Sequence, residues 1–422
     1  MSACAVDVTD PATWRGTRRP LGSATGLHPS LYTDPGVHDA ELDRVFERAW
    51  VCVGLTAELD EPGTVLARSI GRRSILLTRG GNGRLRGFVN ACRHRGTELV
   101  EGDCTVRGTI RCPYHRWGYD LDGTLVSTPR FADVPAARAA STDGLDLLPV
   151  RVDAMGCLLF ACLDPGTPPL ATWLGDLPDR LAGYELDRWH RADGLTVGIE
   201  ANWKLISENY QEYYHLPWVH PGLATVSRVD DHYRYQGPGM YCGQTTTPVT
   251  DGDGSTWLSL PPMAGLDASD SVSGRHIAIF PNVLISILPN HAFVLRLEPD
   301  GPGRTREHCT WLLPPGDAVP PAERDAGFAA LRQFWLDVNG EDIDIVQRSQ
   351  RGLSRGAAPA GPLAPRFEEP LRRFHNMLAD LCTSAELAEL AIPAGDRPGA
   401  DVELGGKPNP HPPSIETEIL RG

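Results

Sequence analysis

Two short arms carry the densest chemistry in the chain. Cys92-Arg93-His94 and Cys112-Pro113-Tyr114-His115 each set one cysteine and one histidine within three residues, and seventeen residues separate His94 from Cys112. Four such side chains can surround one inorganic centre, and the candidates are zinc and iron–sulfur. Structural zinc fingers pair cysteine with cysteine and histidine with histidine, at wider His spacing. The mixed arms favour iron, because in a two-iron, two-sulfide centre the thiolates take one iron and neutral imidazoles the other, which raises the reduction potential. Gly96, Gly118 and Gly123 suit tight loops around such a centre, and Pro113 fixes one of them.

A second constellation lies in residues 202–221. The pattern predicts a helix over 203–216, on which Glu208, Glu212 and His215 fall at i, i+4 and i+7 and share a face. His220 sits about 140° further round and cannot join that face by helical spacing. Pro217, read as lying just past the helix end, and Pro221, which pushes His220 out of the α region, let the chain bend and bring both imidazoles to one ion. Two histidines and one carboxylate on one face of an octahedron leave positions open for O2 and substrate, the arrangement of ferrous oxygenases. The carboxylate must come from elsewhere. Glu341, Asp342 and Asp344 follow Gly340, which is read as the break between helices at 323–338 and 341–352; acids in such a first turn also simply complement the helix dipole, and spacing alone does not choose among them.

These segments resemble a known family. Cys92-Arg93-His94-Arg95-Gly96 with Cys112-Pro113-Tyr114-His115-Arg116-Trp117-Gly118 is similar to the cluster motif of Rieske iron–sulfur proteins, and 202–221 with 334–342 and 346–354 is similar to the iron segments of the Rieske non-heme iron oxygenases. The resemblance runs from about Leu31 to Ser354. It implies a [2Fe-2S] cluster on Cys92, His94, Cys112 and His115, a mononuclear Fe(II) on His215, His220 and Asp342, O2 as co-substrate, and Glu212 and Asn209 as catalytic side chains, with Glu212 linking the two centres between neighbouring subunits of a homotrimer. It also implies a separate NAD(P)H-dependent reductase of flavin and ferredoxin type. Residues 281–284, 299–306 and 341–342 with 350–353 look most like α-subunits acting on quaternary ammonium compounds of the choline, glycine betaine, carnitine and stachydrine types. Tyr214 and Leu216 depart from that group, whose members often have cysteines there. An aromatic cage for a cation works by cation–π attraction, and the candidates are Tyr214, Trp218, Tyr241 and Phe293, with Tyr213, Tyr233, Tyr235 and Trp257 behind them.

The elements that must position these residues form an α+β pattern. Residues 51–165 read as short strands at 64–70, 74–78, 85–90, 109–112, 124–126 and 157–163 with Gly-rich turns, an antiparallel β Rieske domain. Residues 166–393 mix helices with strands at 275–287, 292–298 and 306–313, a helix-on-antiparallel-sheet catalytic domain that the resemblance makes helix-grip and START-like. Residues 1–50 are an N-terminal segment expected to pack on the catalytic domain, with a helix over 38–49, and 394–422 form a Pro- and Gly-rich, loosely ordered tail. Gly80-Gly81-Asn82-Gly83 follows a strand but opens no helix, so it reads as a hairpin turn and no flavin or nicotinamide fingerprint is present.

The whole chain sets outer bounds. Its 422 residues, 41 % hydrophobic and 22 % charged, carry a net charge of −14 and a pI near 5.4, which argues against nucleic acid as a partner. No apolar run approaches membrane-spanning length and the N-terminus lacks a signal pattern, so a cytoplasmic protein with mostly buried, reduced cysteines is expected. The leading reading is a monooxygenase acting on a small ammonium substrate; arene dihydroxylation is the enzyme alternative. A pure electron carrier would need only the first 160 residues or so, and a zinc-stabilised binding protein would hold no sulfide.

Overall fold

The computed structural model describes residues 6–131, 133, 142–247, 259–316, 320–356, 359–397 and 399–410. The chain folds as two compact units, Leu42–Thr167 and, separately, Met1–Glu41 with Pro168–Gly422. The boundary therefore falls at residue 42 rather than 51. Glu47 pairs with Arg73 and accepts from the Arg72 N–H, and Arg48 pairs with Asp164, which draws residues 42–50 into the cluster unit. The expected helix over 38–49 is instead α2, Pro35–Glu41, after the single turn α1, Ser30–Thr33, and it runs into a wider turn over Leu42–Phe46.

Among the described residues of the cluster unit, ten antiparallel strands alternate with tight turns. They are β1 Val51–Leu55, β2 Thr64–Ile70, β3 Arg73–Arg79, β4 Leu85–Val89, β5 Cys104–Thr105, β6 Ile110–Arg111, β7 Gly118–Tyr119, β8 Leu125–Ser127, β9 Pro149–Met155 and β10 Leu158–Cys162. Seven form one sheet in the order β1-β10-β9-β4-β3-β2-β5, and β6-β7-β8 form a small second sheet. The Gly80–Gly83 stretch is the β3–β4 hairpin connection, with Gly83 in the left-handed region at φ 76°. Val65, Leu76, Phe88, Ile110, Trp117 and Tyr119 make the core, and Cys92 and Cys112 are buried against it.

The larger unit is a helix-on-sheet layer. Its strands are β11 His190–Ile199, β12 His232–Arg234, β13 Tyr241–Thr246, β14 Gly274–Ile279, β15 Val283–Leu288, β16 His291–Pro299 and β17 Thr305–Leu313, in the order β11-β17-β16-β15-β14-β13-β12 and antiparallel throughout. The expected single strand at 275–287 is a hairpin, because Pro281 has no N–H for the ladder and the chain reverses between Ile279 and Val283. The helices are α3 Leu170–Leu174, α4 Leu177–Arg180, α5 Trp203–Gln211, α6 Leu216–Val219, α7 Pro321–Ser354, α8 Glu369–Thr383 and α9 Ala400–Glu403. Along α8, Leu371, Phe374, Leu378 and Leu381 recur at helical spacing and are buried, and Phe374 packs on Trp203 of α5 and on Phe280.

One helix replaces the two expected on either side of Gly340. Over its 34 residues, α7 buries only a narrow stripe that includes Leu331, Trp335, Asn339, Val346 and Gln350. Leu331 meets Leu313 and Leu260, Trp335 Nε1 donates to His291 Nε2 at 2.8 Å, and Asn339 donates to Glu307 at 2.7 Å. Gly340 lies on the exposed side, where its missing side chain costs the helix about 1 kcal/mol against Ala and no more. The end of the chain is less loose than expected as far as it is described: Asp396 pairs with Arg234, and Asp401 accepts from the Arg234 N–H. Among the described residues no helix is long and apolar enough to cross a membrane, and nine cysteines are free of disulfides.

Candidate metal centres

The two cluster arms share one backbone design. In each, the fourth N–H beyond the cysteine returns to the cysteine carbonyl, Gly96 to Cys92 at 2.8 Å and Arg116 to Cys112 at 3.1 Å. Each cysteine N–H donates in turn to the fifth carbonyl on, Thr97 and Trp117, both at 2.8 Å. The fourth residue must be left-handed to close such a loop, and both are, Gly96 at φ 72° and Arg116 at φ 61°. The loops bury both thiols and carry the imidazoles outward, with the His94 and His115 ring centroids 4.8 Å apart and His94 stacked on Trp117. Desolvation, then the charges of His115 and Arg95, lower the His94 pKa, which keeps a neutral imidazole available as a ligand. Tyr119 closes the inner side, its hydroxyl 3.5 Å from Cys92 Sγ and accepting from the Arg93 N–H at 3.0 Å. Two buried thiols and two outer imidazoles are a donor set that fits a two-iron, two-sulfide cluster with cysteines on the inner iron and histidines on the outer.

The second site is built from α5, α6 and α7. Asn202 caps α5 by accepting from the Lys204 N–H at 3.0 Å, and the helix ends at Gln211, well before 216. Glu212 is extended, so it does not share a helix face with His215. Its carboxylate turns instead onto the next backbone N–H groups, those of Tyr214 and His215, and a side chain that satisfies local N–H groups in this way competes with the helix ladder. The same carboxylate holds His215 Nδ1. Pro217 lies inside the short α6, in its first turn, where a missing N–H costs nothing. His220 closes α6 in a non-helical conformation ahead of Pro221.

The donor atoms of His215, His220 and Asp342 lie within 4.8 Å of one another. His220 Nε2 is 2.9 Å and His215 Nε2 3.6 Å from Asp342 Oδ1. Each ring is held from behind by a second carboxylate, His215 Nδ1 by Glu212 and His220 Nδ1 by Glu341 at 2.7 Å. This orientation places the proton on Nδ1 and aims both Nε2 lone pairs at the same point. Burial alone would lower the His220 pKa, but hydrogen bonds and charge from Asp342 and Glu341 outweigh it and raise the pKa. Asn209 donates to Asp342 Oδ1 at 2.5 Å and fixes the carboxylate. Two imidazoles and one carboxylate, with outer partners in place, fit a facially bound divalent iron. The sequence offered Glu341 only as one of three candidate carboxylates and not as the partner of His220, although an acid beside a candidate ligand is the expected partner for a metal-bound histidine.

The three groups open onto a cavity of about 90 Å³. Tyr210, Tyr213, Phe334 and Trp335 supply its rings, Leu216, Leu223 and Val338 its aliphatic surface, and Gln244, His276 and Ser286 a polar wall. The four rings named as substrate candidates are elsewhere. Tyr241 gives its hydroxyl to Asp176 and accepts from the Gly237 N–H; Phe293 is buried between Trp311 and Trp335. Tyr214 stacks on Phe367 at the surface, and Trp218 is 81 % exposed on α6. Tyr233 and Tyr235 are also outside the lining, and Trp257 lies outside the described residues. Of the residues close to His215 and His220 in sequence, Tyr213 and Leu216 line the cavity while Tyr214 and Trp218 do not.

Comparison with known proteins places both units. Residues 49–138 match the Rieske [2Fe-2S] domain, and residues 186–384 match the ring hydroxylating alpha subunit catalytic domain. The chain is 30 % identical over 408 residues to the glycine betaine monooxygenase oxygenase subunit of Chromohalobacter salexigens, covering 87 % of this chain and 89 % of that one. Among solved structures it resembles the quaternary ammonium Rieske monooxygenase CntA, with TM-score 0.74, 24 % identity, and coverage of 87 % of this chain and 98 % of that one. It also resembles naphthalene 1,2-dioxygenase from Rhodococcus sp., with TM-score 0.71, 21 % identity, and coverage of 85 % and 95 %. The fold is thus shared by proteins named for very different substrates, while a relative similar along nearly its whole length ties both units to one lineage. The chain belongs to the Rieske non-heme iron oxygenases, as an oxygenase α-subunit with a [2Fe-2S] domain and an iron-dependent catalytic domain that uses O2.

Proposed function

We propose that this chain is the oxygenase component of a multicomponent monooxygenase that hydroxylates an N-methyl or neighbouring carbon of a small ammonium substrate. The observation that carries this reading is the 30 % identity, along most of both chains, to a glycine betaine monooxygenase oxygenase subunit. The cavity supports it: four aromatic rings line it, whose faces attract a cation, and no Lys or Arg lines it among the described residues. In this reading Cys92, His94, Cys112 and His115 hold the cluster, and His215, His220 and Asp342 hold the iron. Bound iron supplies the activation of O2. The protein holds each ligand still: Glu212 and Glu341 fix the two imidazoles, Asn209 fixes Asp342, and the aromatic and aliphatic lining keeps bulk water from the reacting carbon.

The reaction inserts one oxygen atom of O2 into a C–H bond and releases the other as water, consuming two electrons and two protons. A hydroxymethyl group on nitrogen then breaks its C–N bond to give formaldehyde and the demethylated amine. The electrons come from NAD(P)H through a separate flavin and ferredoxin-type reductase. We further propose a homotrimer, in which Glu212 reaches the outer cluster histidine, His115, of a neighbouring subunit; a head-to-tail contact that closes in a ring serves every cluster and every iron at once.

The test is O2 uptake with reductase and NADH on a panel of trimethylammonium, N,N-dimethyl and arene compounds. Ammonium compounds are expected to couple NADH oxidation to formaldehyde or aldehyde release, on protein containing about three irons and two acid-labile sulfides per chain. Coupling by neutral arenes alone would move the chain to the ring-dihydroxylating branch.

A further inference from the structure

The ammonium reading says which end of a substrate faces the rings but not what grips the other end. The sheet wall of the cavity answers that. Gln244 on β13 lies directly across from His276 on β14, and His276 directly across from Ser286 on β15, so the three form one rank across adjacent strands and all line the cavity. Ser286 Oγ is 3.0 Å from His276 Nδ1 and 2.9 Å from the Tyr210 hydroxyl. Gln244 is 6 % exposed, yet its Oε1 has no hydrogen-bond partner. A buried amide acceptor left unpaired is unfavourable until a donor arrives, and Gln244 lines the cavity through which a substrate donor can reach it after a small side-chain adjustment.

A carboxylate is a poor occupant of this rank. It has no proton to give to Gln244 Oε1, and the wall offers it neutral donors but no cation to offset its desolvation. Among the described residues no Lys or Arg lines the cavity, and residues 248–258, which follow β13, contain neither. His276 stays neutral, since burial first and then the charges of His232 and Arg275 push its pKa down to about 3, and His232, which also lines the cavity, stays neutral because burial pushes its pKa down to about 4. Arg275 points to the opposite sheet face and is held by Asp270 at 2.6 Å. Size adds a bound: at about 10–15 Å³ per water-sized occupant, the cavity, whose lining includes the iron ligands, takes roughly six to nine occupants in all, so the substrate is small.

We propose that Gln244, His276 and Ser286 bind an uncharged group that both donates and accepts hydrogen bonds, a hydroxyl or an amide, on the far end of a small N-methylated ammonium substrate. This rests on the ammonium reading above and makes the rank the determinant that favours such compounds over carboxylate-ended betaines of equal size.

The experiment compares kcat/KM for three trimethylammonium probes whose fourth group is 2-hydroxyethyl, carboxymethyl or ethyl. The hydroxyethyl compound is expected to exceed each of the others by about tenfold, since a site built to hydrogen-bond a hydroxyl rejects analogues without one. Gln244→Leu and Ser286→Ala should remove most of that advantage by raising KM for the hydroxyethyl probe alone, with iron and sulfide contents at the parent level. A carboxymethyl probe equal to or better than the hydroxyethyl one overturns the inference and leaves the ammonium reading standing, as do variants that slow all three probes alike. Failure of every ammonium probe while arenes couple overturns both. The comparison on the parent enzyme decides the matter even if a variant does not fold.

Discussion

At the scale of single residues, phase on a helix separates the acid that reaches the histidines from the one that does not. Asp342 lies three residues after buried Asn339 and four before buried Val346, so it continues the inner stripe of α7, whereas Asp344 is about 200° away and pairs with Arg348 in solvent. Asp342→Ala is expected to abolish mononuclear iron binding and turnover while the cluster spectrum stays intact, and Asp344→Ala to change activity less than twofold or so, because exposed pairs of this kind contribute little. Iron and sulfide analysis with EPR separates the two. Glu341 gives a subtler prediction. Removing the carboxylate behind His220 loosens the ring without deleting a ligand, so Glu341→Gln should weaken iron binding roughly 10–100-fold, read by competition with a chelator, and leave the cluster unaffected. Iron retention equal to the parent would show that His220 is oriented by its backbone alone.

The elements explain what the sequence disclosed and what it withheld. Cys92, His94, Cys112 and His115 were legible because each arm is a local loop, and the same is true of His215 and His220 around Pro217 and Pro221. The identity of the carboxylate was open to spacing because Gly340 was taken as a break. The stripe of Leu331, Trp335 and Asn339 continuing through Val346 and Gln350 crosses that glycine without a shift in phase, and it was the available signal for one helix. The cavity wall was not legible at all: Gln244, His276 and Ser286 are joined by strand register, and their alignment depends on where the turn after Ile279 falls. The continuous α7 also carries a stability prediction. A side chain added at Gly340 meets nothing within 4 Å, so Gly340→Ala should stabilise the helix by about 0.5–1 kcal/mol and raise the midpoint of thermal unfolding. A lowered midpoint would mean that the native helix uses the glycine for a bend.

At the scale of the whole molecule, the proposed ring puts one side chain under two demands. Both oxygens of Glu212 are engaged within its own chain, one with His215 Nδ1 and the other with the N–H groups of Tyr214 and His215. Glu212→Gln keeps the size and the acceptor oxygen but loses the charge, so with the iron site kept filled by excess Fe(II), since the His215 imidazole too loses its carboxylate, a chemically reduced cluster should reoxidise far more slowly on adding substrate and O2. Stopped-flow absorbance of the cluster follows this directly. Transfer at the parent rate, or an active monomer by mass at assay concentration, would leave Glu212 with the task of orienting His215 and nothing more.

Trp218 turns this question of assembly into an optical one. Nine of the ten tryptophans are described, and of these Trp218 alone is exposed; the others are 7 % exposed or less. Among the described tryptophans, the fluorescence accessible to iodide in a dissociated chain therefore comes mainly from one indole, carried on α6 between His215 and His220. If subunits meet over α6 as the proposed trimer requires, dilution across the dissociation range should shift the emission to the red and increase quenching, and Trp218→Phe should erase both changes. Quenching that stays constant from dilute to concentrated protein would place α6 outside any contact between chains.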